Sequence, residues 1–116
     1  MKTIDIARIA HSANKSYCEC LGDDSQLDWV LAPNWQKESV INGVEFRLKN
    51  RNGTAEENHN NWLKLKREQG WKYGVKKNID KKEHPCFIPY DSLPELQKVK
   101  DVLFINIVDC LKEFLE

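Results

Sequence analysis

The chain has 116 residues, 41% hydrophobic and 31% charged, which suits one folded domain and excludes the disordered class. Its 18 basic and 18 acidic residues cancel, so the overall basic excess with which nucleic-acid and membrane-surface binders neutralise phosphates is missing. No segment approaches the roughly 18 apolar residues that cross a bilayer, and Met1–Ala10 interleaves Lys2, Asp5 and Arg8 with its apolar residues, unlike a signal peptide.

The expected compartment is therefore cytoplasmic, with Cys18, Cys20, Cys86 and Cys110 as reduced thiols. Cys18 and Cys20, two apart on a predicted helix, face different ways, which suits neither chelation nor a mutual disulfide. A metal site on His84 and Cys86 lacks two further ligands at sensible spacing, so no metal is expected. No internal repeat, low-complexity tract or linker divides the sequence, and residues 1–116 read as one domain.

In chain order, Ile6, Ala10, Ala13, Tyr17 and Leu21 step by three or four residues, the spacing of an amphipathic helix, and Gly22 is its stop. Gly22 to Ser25 reads as a loop. A second helix is predicted from Pro33 to about Asn50, with apolar Trp35, Ile41, Val44 and Leu48. Gly43 lies inside it at a cost of order 1 kcal/mol relative to alanine, which a close approach of another backbone would offset. Thr54 and Glu57 fit a capping box for a third helix that runs to Gln69 and stops at Gly70. A further capping box, Ser92 with Glu95, is expected to launch the longest helix, with Leu96, Val99, Leu103, Ile107, Cys110 and Phe114 as its apolar stripe.

Between the third and fourth helices, Trp71 to Tyr90 holds WKYG, the lysines Lys76, Lys77, Lys81 and Lys82, and HPCFIPY. Pro85 and Pro89 exclude a long regular element, leaving an irregular arm with short extended pieces, a small β-hairpin among them. The fold class is mainly α: a four-helix domain with one long, aromatic and basic connection.

Enzyme templates are absent: no nucleophile elbow, phosphate-loop glycine pattern or paired-histidine zinc motif occurs. Cys86 lies between Pro85, Phe87 and Ile88, which suits a buried structural thiol better than a nucleophile served by His84. Asp23 and Asp24 read as turn residues, and Asp23 to Asp28 is only a fragment of a calcium-binding loop. No catalytic residue is assigned and no enzyme is expected. The arm carries more chemistry: Trp62, Trp71, Tyr73 and Tyr90 accompany Lys81, Lys82 and His84. Aromatic faces stack on planar bases while cations meet phosphates. Against that stands the usual place of tryptophan in a small domain, the core, and of a lysine cluster, a solvated loop.

The segments ENHNNWLKLKREQGWKYG (Glu57–Gly74) and KKEHPCFIPYDSL (Lys81–Leu93) resemble the ryanodine receptor repeat. His59, Asn60 and Trp62 match its His-Asn and Trp helix. Gly70, Trp71 and Tyr73 match its Gly-Trp-x-Tyr, and Lys82, Pro85, Pro89, Tyr90 and Leu93 match the basic stretch and Pro-Tyr-x-x-Leu. The first half, with Gly22–Trp29 and Ala32–Phe46, is similar to what free-standing bacterial members are expected to show. The resemblance implies a mostly helical fold with a short β element in the arm. It implies a non-catalytic module of protein contacts and nucleotide binding, not a pore: one repeat without a membrane span is no calcium channel. A repeat that elsewhere packs in pairs also suggests a homodimer. Two functions follow. One is sensing of a small nucleotide by His59, Trp62, Trp71, Tyr73, Lys82, His84 and Tyr90, with no cofactor. The other is protein interaction or homo-oligomerisation through the same aromatic surface. Neither nucleic acid nor membrane is an expected partner.

Overall fold

A computed structural model describes the whole chain, Met1–Glu116. Its helices are α1 (Thr3–Cys20), α2 (Asn34–Lys49), α3 (Ala55–Glu68) and α4 (Glu95–Leu111), with two short strands, β1 (Lys72–Tyr73) and β2 (Glu83–His84), between α3 and α4. The mainly α, four-helix architecture expected from the sequence is the one observed. No helix is long and apolar enough to cross a membrane.

Helix ends follow local chemistry. Gly22 and Gly70 adopt φ of +87° and +89°, the left-handed conformation that glycine enters without a Cβ penalty. Each closes a double hydrogen-bonded cap: Asp23 N–H donates to Cys18 O at 2.9 Å and Gly22 N–H to Glu19 O at 3.0 Å after α1. After α3, Trp71 N–H donates to Lys66 O at 2.9 Å and Gly70 N–H to Arg67 O at 3.0 Å. The second cap brings the Trp71 ring over Lys66, whose Nζ lies 5.3 Å from its centroid. Glu57 N–H donates to Thr54 Oγ1 at 3.2 Å and Thr54 N–H to Glu57 Oε1 at 3.4 Å, so the capping box of α3 is formed.

The Ser92–Glu95 box is not formed. Ser92 belongs to a 3₁₀ turn (Tyr90–Ser92), and α4 begins only after Pro94. The residue before a proline is driven out of the helical region, and Leu93, with φ −70° and ψ 140°, obeys that constraint. The same effect starts α2 at Asn34, one residue after Pro33.

The expected apolar stripe of α4 turns largely outward: Leu96, Val99 and Phe114 are 59%, 40% and 56% exposed and Cys110 is exposed, while Leu103 and Ile107 are half-buried. The inward face carries Phe104, Ile105, Val108 and Leu111. α4 is apolar on two sides, so periodicity alone could not say which side is buried. Its inner residues meet Ile6, Ala7 and Val44 in the fully buried core, where α1, α2 and α4 converge. At Gly43 an added Cβ would stand 3.0 Å from the Phe104 ring, so the glycine makes room for an aromatic ring rather than a backbone. Arg47 ties the α2–α3 turn to α4: Nε and Nη2 donate to the Asp109 carboxylate at 3.0 and 2.8 Å, and Nη1 to Gly53 O at 2.6 Å.

The β element expected in the arm is present, but its strands run parallel, Lys72 opposite Glu83 and Tyr73 opposite His84, rather than as a hairpin. The chain reverses through residues 79–82, closed by an antiparallel Asn78–Glu83 bridge, with Lys82 at φ +54°. Gly74 is required here because a Cβ would sit 2.5 Å from that of Glu83.

Candidate ligand pocket

Beside the apolar core, against Val40 and Phe104, the helices and the arm form a partly open pocket of about 200 Å³. α3 presents Asn58, His59, Trp62 and Lys66 to it, residues three or four apart and so on one face. α2 supplies Trp35 and Ser39, α4 supplies Lys100 and Asp101, and the arm supplies Trp71, Lys77, His84 and Cys86.

Three ammonium groups define its electrostatics. Lys66 is only 5% exposed; its Nζ donates to Ser39 Oγ at 2.9 Å and Gln69 Oε1 at 3.2 Å, and stands 4.6 Å from the Trp35 ring centroid. Burial, with repulsion from Lys77, pushes its pKa down to about 8. Lys77 donates to Ser25 Oγ at 3.3 Å, and burial lowers its pKa too. None of Lys66, Lys77 and Lys100 has a carboxylate within ion-pair distance. His84 lies in the field of all three; burial and that field push it down to about 3. Its Nδ1 accepts from Cys86 N–H at 3.0 Å, which leaves a neutral ring with its proton on Nε2. Burial pushes the Cys86 thiol up, and Sγ donates to Gln97 Oε1 at 3.4 Å, the environment of an inert thiol.

The opposite wall holds an acid–imidazole pair. His59 Nε2 faces Ile88 O at 2.8 Å and must donate to it, so in the neutral ring Nδ1 carries a lone pair. That lone pair faces Asp101 Oδ2 at 3.6 Å, a contact that an ionised carboxylate would make repulsive and a protonated carboxyl relieves. Burial lowers the His59 pKa and pushes Asp101 up to about 7, both favouring the proton on the carboxyl. Beside them Asn58 Oδ1 is buried without a hydrogen-bond partner.

This pair gives a pH prediction. The Asp101 carboxyl ionises near 7 in the fold against 3.8 when unperturbed, so its stabilising proton is fully held below about pH 4 and is lost as pH rises to 7. Asp101→Asn removes that loss and can still donate to His59 Nδ1. The variant is expected to be about 2 kcal/mol more stable at pH 8 and indistinguishable at pH 4. Urea unfolding at the two pH values checks it; equal stability of both proteins at pH 8 would refute the assignment.

Of the residues singled out in the sequence, His59, Trp62, Trp71 and His84 line the pocket. His59 stacks on Trp62 with centroids 5.5 Å apart, and His84 meets the same indole edge-on at 5.1 Å. Trp71, 6% exposed, is also core, lying 5.3 Å from Trp35. Three do not reach the pocket. Tyr73 is 53% exposed on β1. Lys82 is exposed on the turn, where Nζ donates to Gln69 O at 2.8 Å. Tyr90 packs behind His59 at 6.0 Å and under Lys98. The cations at the pocket are instead Lys66, Lys77 and Lys100. Lys77 lay in a cluster that reads as solvated, and Lys66 is one basic residue among several in KLKRE. The available signal was spacing: Asn58, Trp62 and Lys66 repeat every four residues, on the face that His59 shares.

Fold and pocket define a helical domain with an internal aromatic and cationic cavity. The family model described as RyR domain matches residues 45–115, more than half of the chain, and the chain belongs to that family. The matched region carries α3, the arm and α4; α1 and Trp35 and Ser39 of α2, from outside it, complete the pocket wall.

Proposed function

We propose that this RyR-domain protein is a non-catalytic recognition module whose pocket binds a small nucleotide-type ligand. The observation that carries the proposal is three ammonium groups without carboxylate partners in a cavity walled by Trp35, Trp62 and Trp71. Buried charge is costly unless something pairs with it, and an anionic, flat ligand supplies both the charge and the stacking surface.

A thermal-shift panel of adenine and guanine nucleotides, cyclic ones included, tests the proposal. A ligand raises the melting temperature by mass action once its concentration far exceeds its dissociation constant. A saturable shift for at least one nucleotide is expected, and it should vanish in a folded Trp62→Ala protein. Undiminished binding by that variant would remove Trp62 from the site.

A second reading, a homodimer or a protein-interaction domain, rests on a different surface from the aromatic one. Trp62 and Trp71 turn inward, whereas Leu96, Val99 and Val102 of α4 are exposed together. Sedimentation of the native protein beside Val99→Asp checks it: a dimer that dissociates in the variant favours this reading, and a native monomer opposes it.

A further inference from the structure

The pocket's charge balance specifies more than an anion. Lys66 arrives from α3, Lys77 from the arm and Lys100 from α4, so three separate elements each deliver one ammonium to the same cavity. Of the carboxyls nearby, Asp23 is ionised, its pKa lowered, and is engaged by Ser25 N–H at 2.9 Å. Asp101 faces the bare Nδ1 of His59 and keeps its own proton below about pH 7. Below about pH 7, where the Asp101 carboxyl keeps its proton, three cations against one committed anion leave about two positive charges uncompensated. His84 adds a neutral Nε2–H donor that has no hydrogen-bond partner in the protein. On the far wall the unpartnered Asn58 Oδ1, in a residue only 7% exposed, offers an acceptor to a ligand N–H.

We infer that the pocket selects a ligand ending in a phosphate monoester, a dianion gripped by Lys66, Lys77, Lys100 and His84, over the singly charged phosphodiester of a cyclic nucleotide. The inference rests on the reading of this cavity as a nucleotide-type site and adds which phosphate chemistry it takes. A monoester carries close to two charges above its second pKa, near 6, whereas a diester carries one at any physiological pH. In a desolvated cavity a second charge interacts far more strongly than in water.

The test is calorimetry of the full chain at pH 6.5 with adenosine 5′-monophosphate, adenosine 3′,5′-cyclic monophosphate, adenosine and ribose 5-phosphate. The monophosphate should bind at least tenfold more tightly than the cyclic ester, and adenosine should not bind. The preference should shrink at pH 5.5, where the monoester loses a charge, and in Lys100→Gln, whose fold is monitored by circular dichroism. Equal or tighter binding of the cyclic ester overturns the inference and leaves the nucleotide reading standing. Binding of ribose 5-phosphate without any nucleotide binding does the reverse. Silence from all four probes sinks both.

Discussion

Replacing Lys66 by methionine is expected to raise the melting temperature while abolishing the response to anionic nucleotides. Lys66 is 5% exposed, pairs with no carboxylate and titrates near 8 rather than 10.5. A folded-state pKa below the unfolded one means that the charged form is penalised by folding. The penalty is full below pH 8 and is relieved as pH rises towards 10.5, so native stability should climb across that window. The displacement corresponds to about 3 kcal/mol. Methionine matches the length of the stem and suits a tryptophan-lined space, at the cost of two neutral hydrogen-bond partners and the cation–π contacts with Trp35 and Trp71. The net expectation is about 1 kcal/mol of added stability, a rise of a few degrees. The same substitution removes the most buried cation from the anion's reach, so affinity should fall at least tenfold. In the native protein affinity should weaken above pH 8, as Lys66 loses its proton. Thermal melts with and without adenosine 5′-monophosphate read both effects. A variant that loses stability and keeps binding would mean that Lys66 is a structural residue.

Arg47→Ala should be the most damaging single change outside the apolar core. The guanidinium makes a two-point contact with Asp109 on α4, holding that carboxyl below its usual range, and caps the α2–α3 turn at Gly53 O. Truncation leaves Asp109 unpaired and a turn carbonyl without its donor. The expected loss is roughly 3 kcal/mol, moderated by the partial exposure of Asp109. Arg47→Lys keeps the charge but not the fork, and cannot serve the carboxylate and the carbonyl together. It should recover less than half of the loss. Urea unfolding of the three proteins measures the series, and full recovery by lysine would show that charge rather than geometry holds the turn.

The helices were legible because their ends are written locally: glycines at 22 and 70, a threonine–glutamate pair at 54 and 57, a proline at 33. Where local signals conflicted, the more restrictive won, and Pro94 displaced the Ser92–Glu95 cap because a proline fixes its neighbour's backbone while a cap contributes only about 1 kcal/mol. The burial of α4 was not legible, since two sides of that helix are apolar and only its packing on α1 and α2 distinguishes them. The pocket was half legible. Tryptophans and histidines are rare enough in a short chain to draw notice, whereas Lys66, Lys77 and Lys100 are three of many basic residues. What makes them special is that they line one cavity without a carboxylate partner, a property of the folded arrangement. Lys82 shows the converse: conspicuous beside a motif, it serves only a backbone carbonyl at the end of α3.

Trp35, Trp62 and Trp71 line the pocket, and the remaining tryptophan, Trp29, lies outside it beside His11. Three of the four indoles of this protein therefore lie within contact of one ammonium and two imidazoles. Proton transfer at Lys66, or displacement of pocket water by a bound molecule, alters the field around those excited states directly. The domain thus carries a built-in optical reporter, and its occupancy can be followed in unlabelled protein by the wavelength of its own fluorescence.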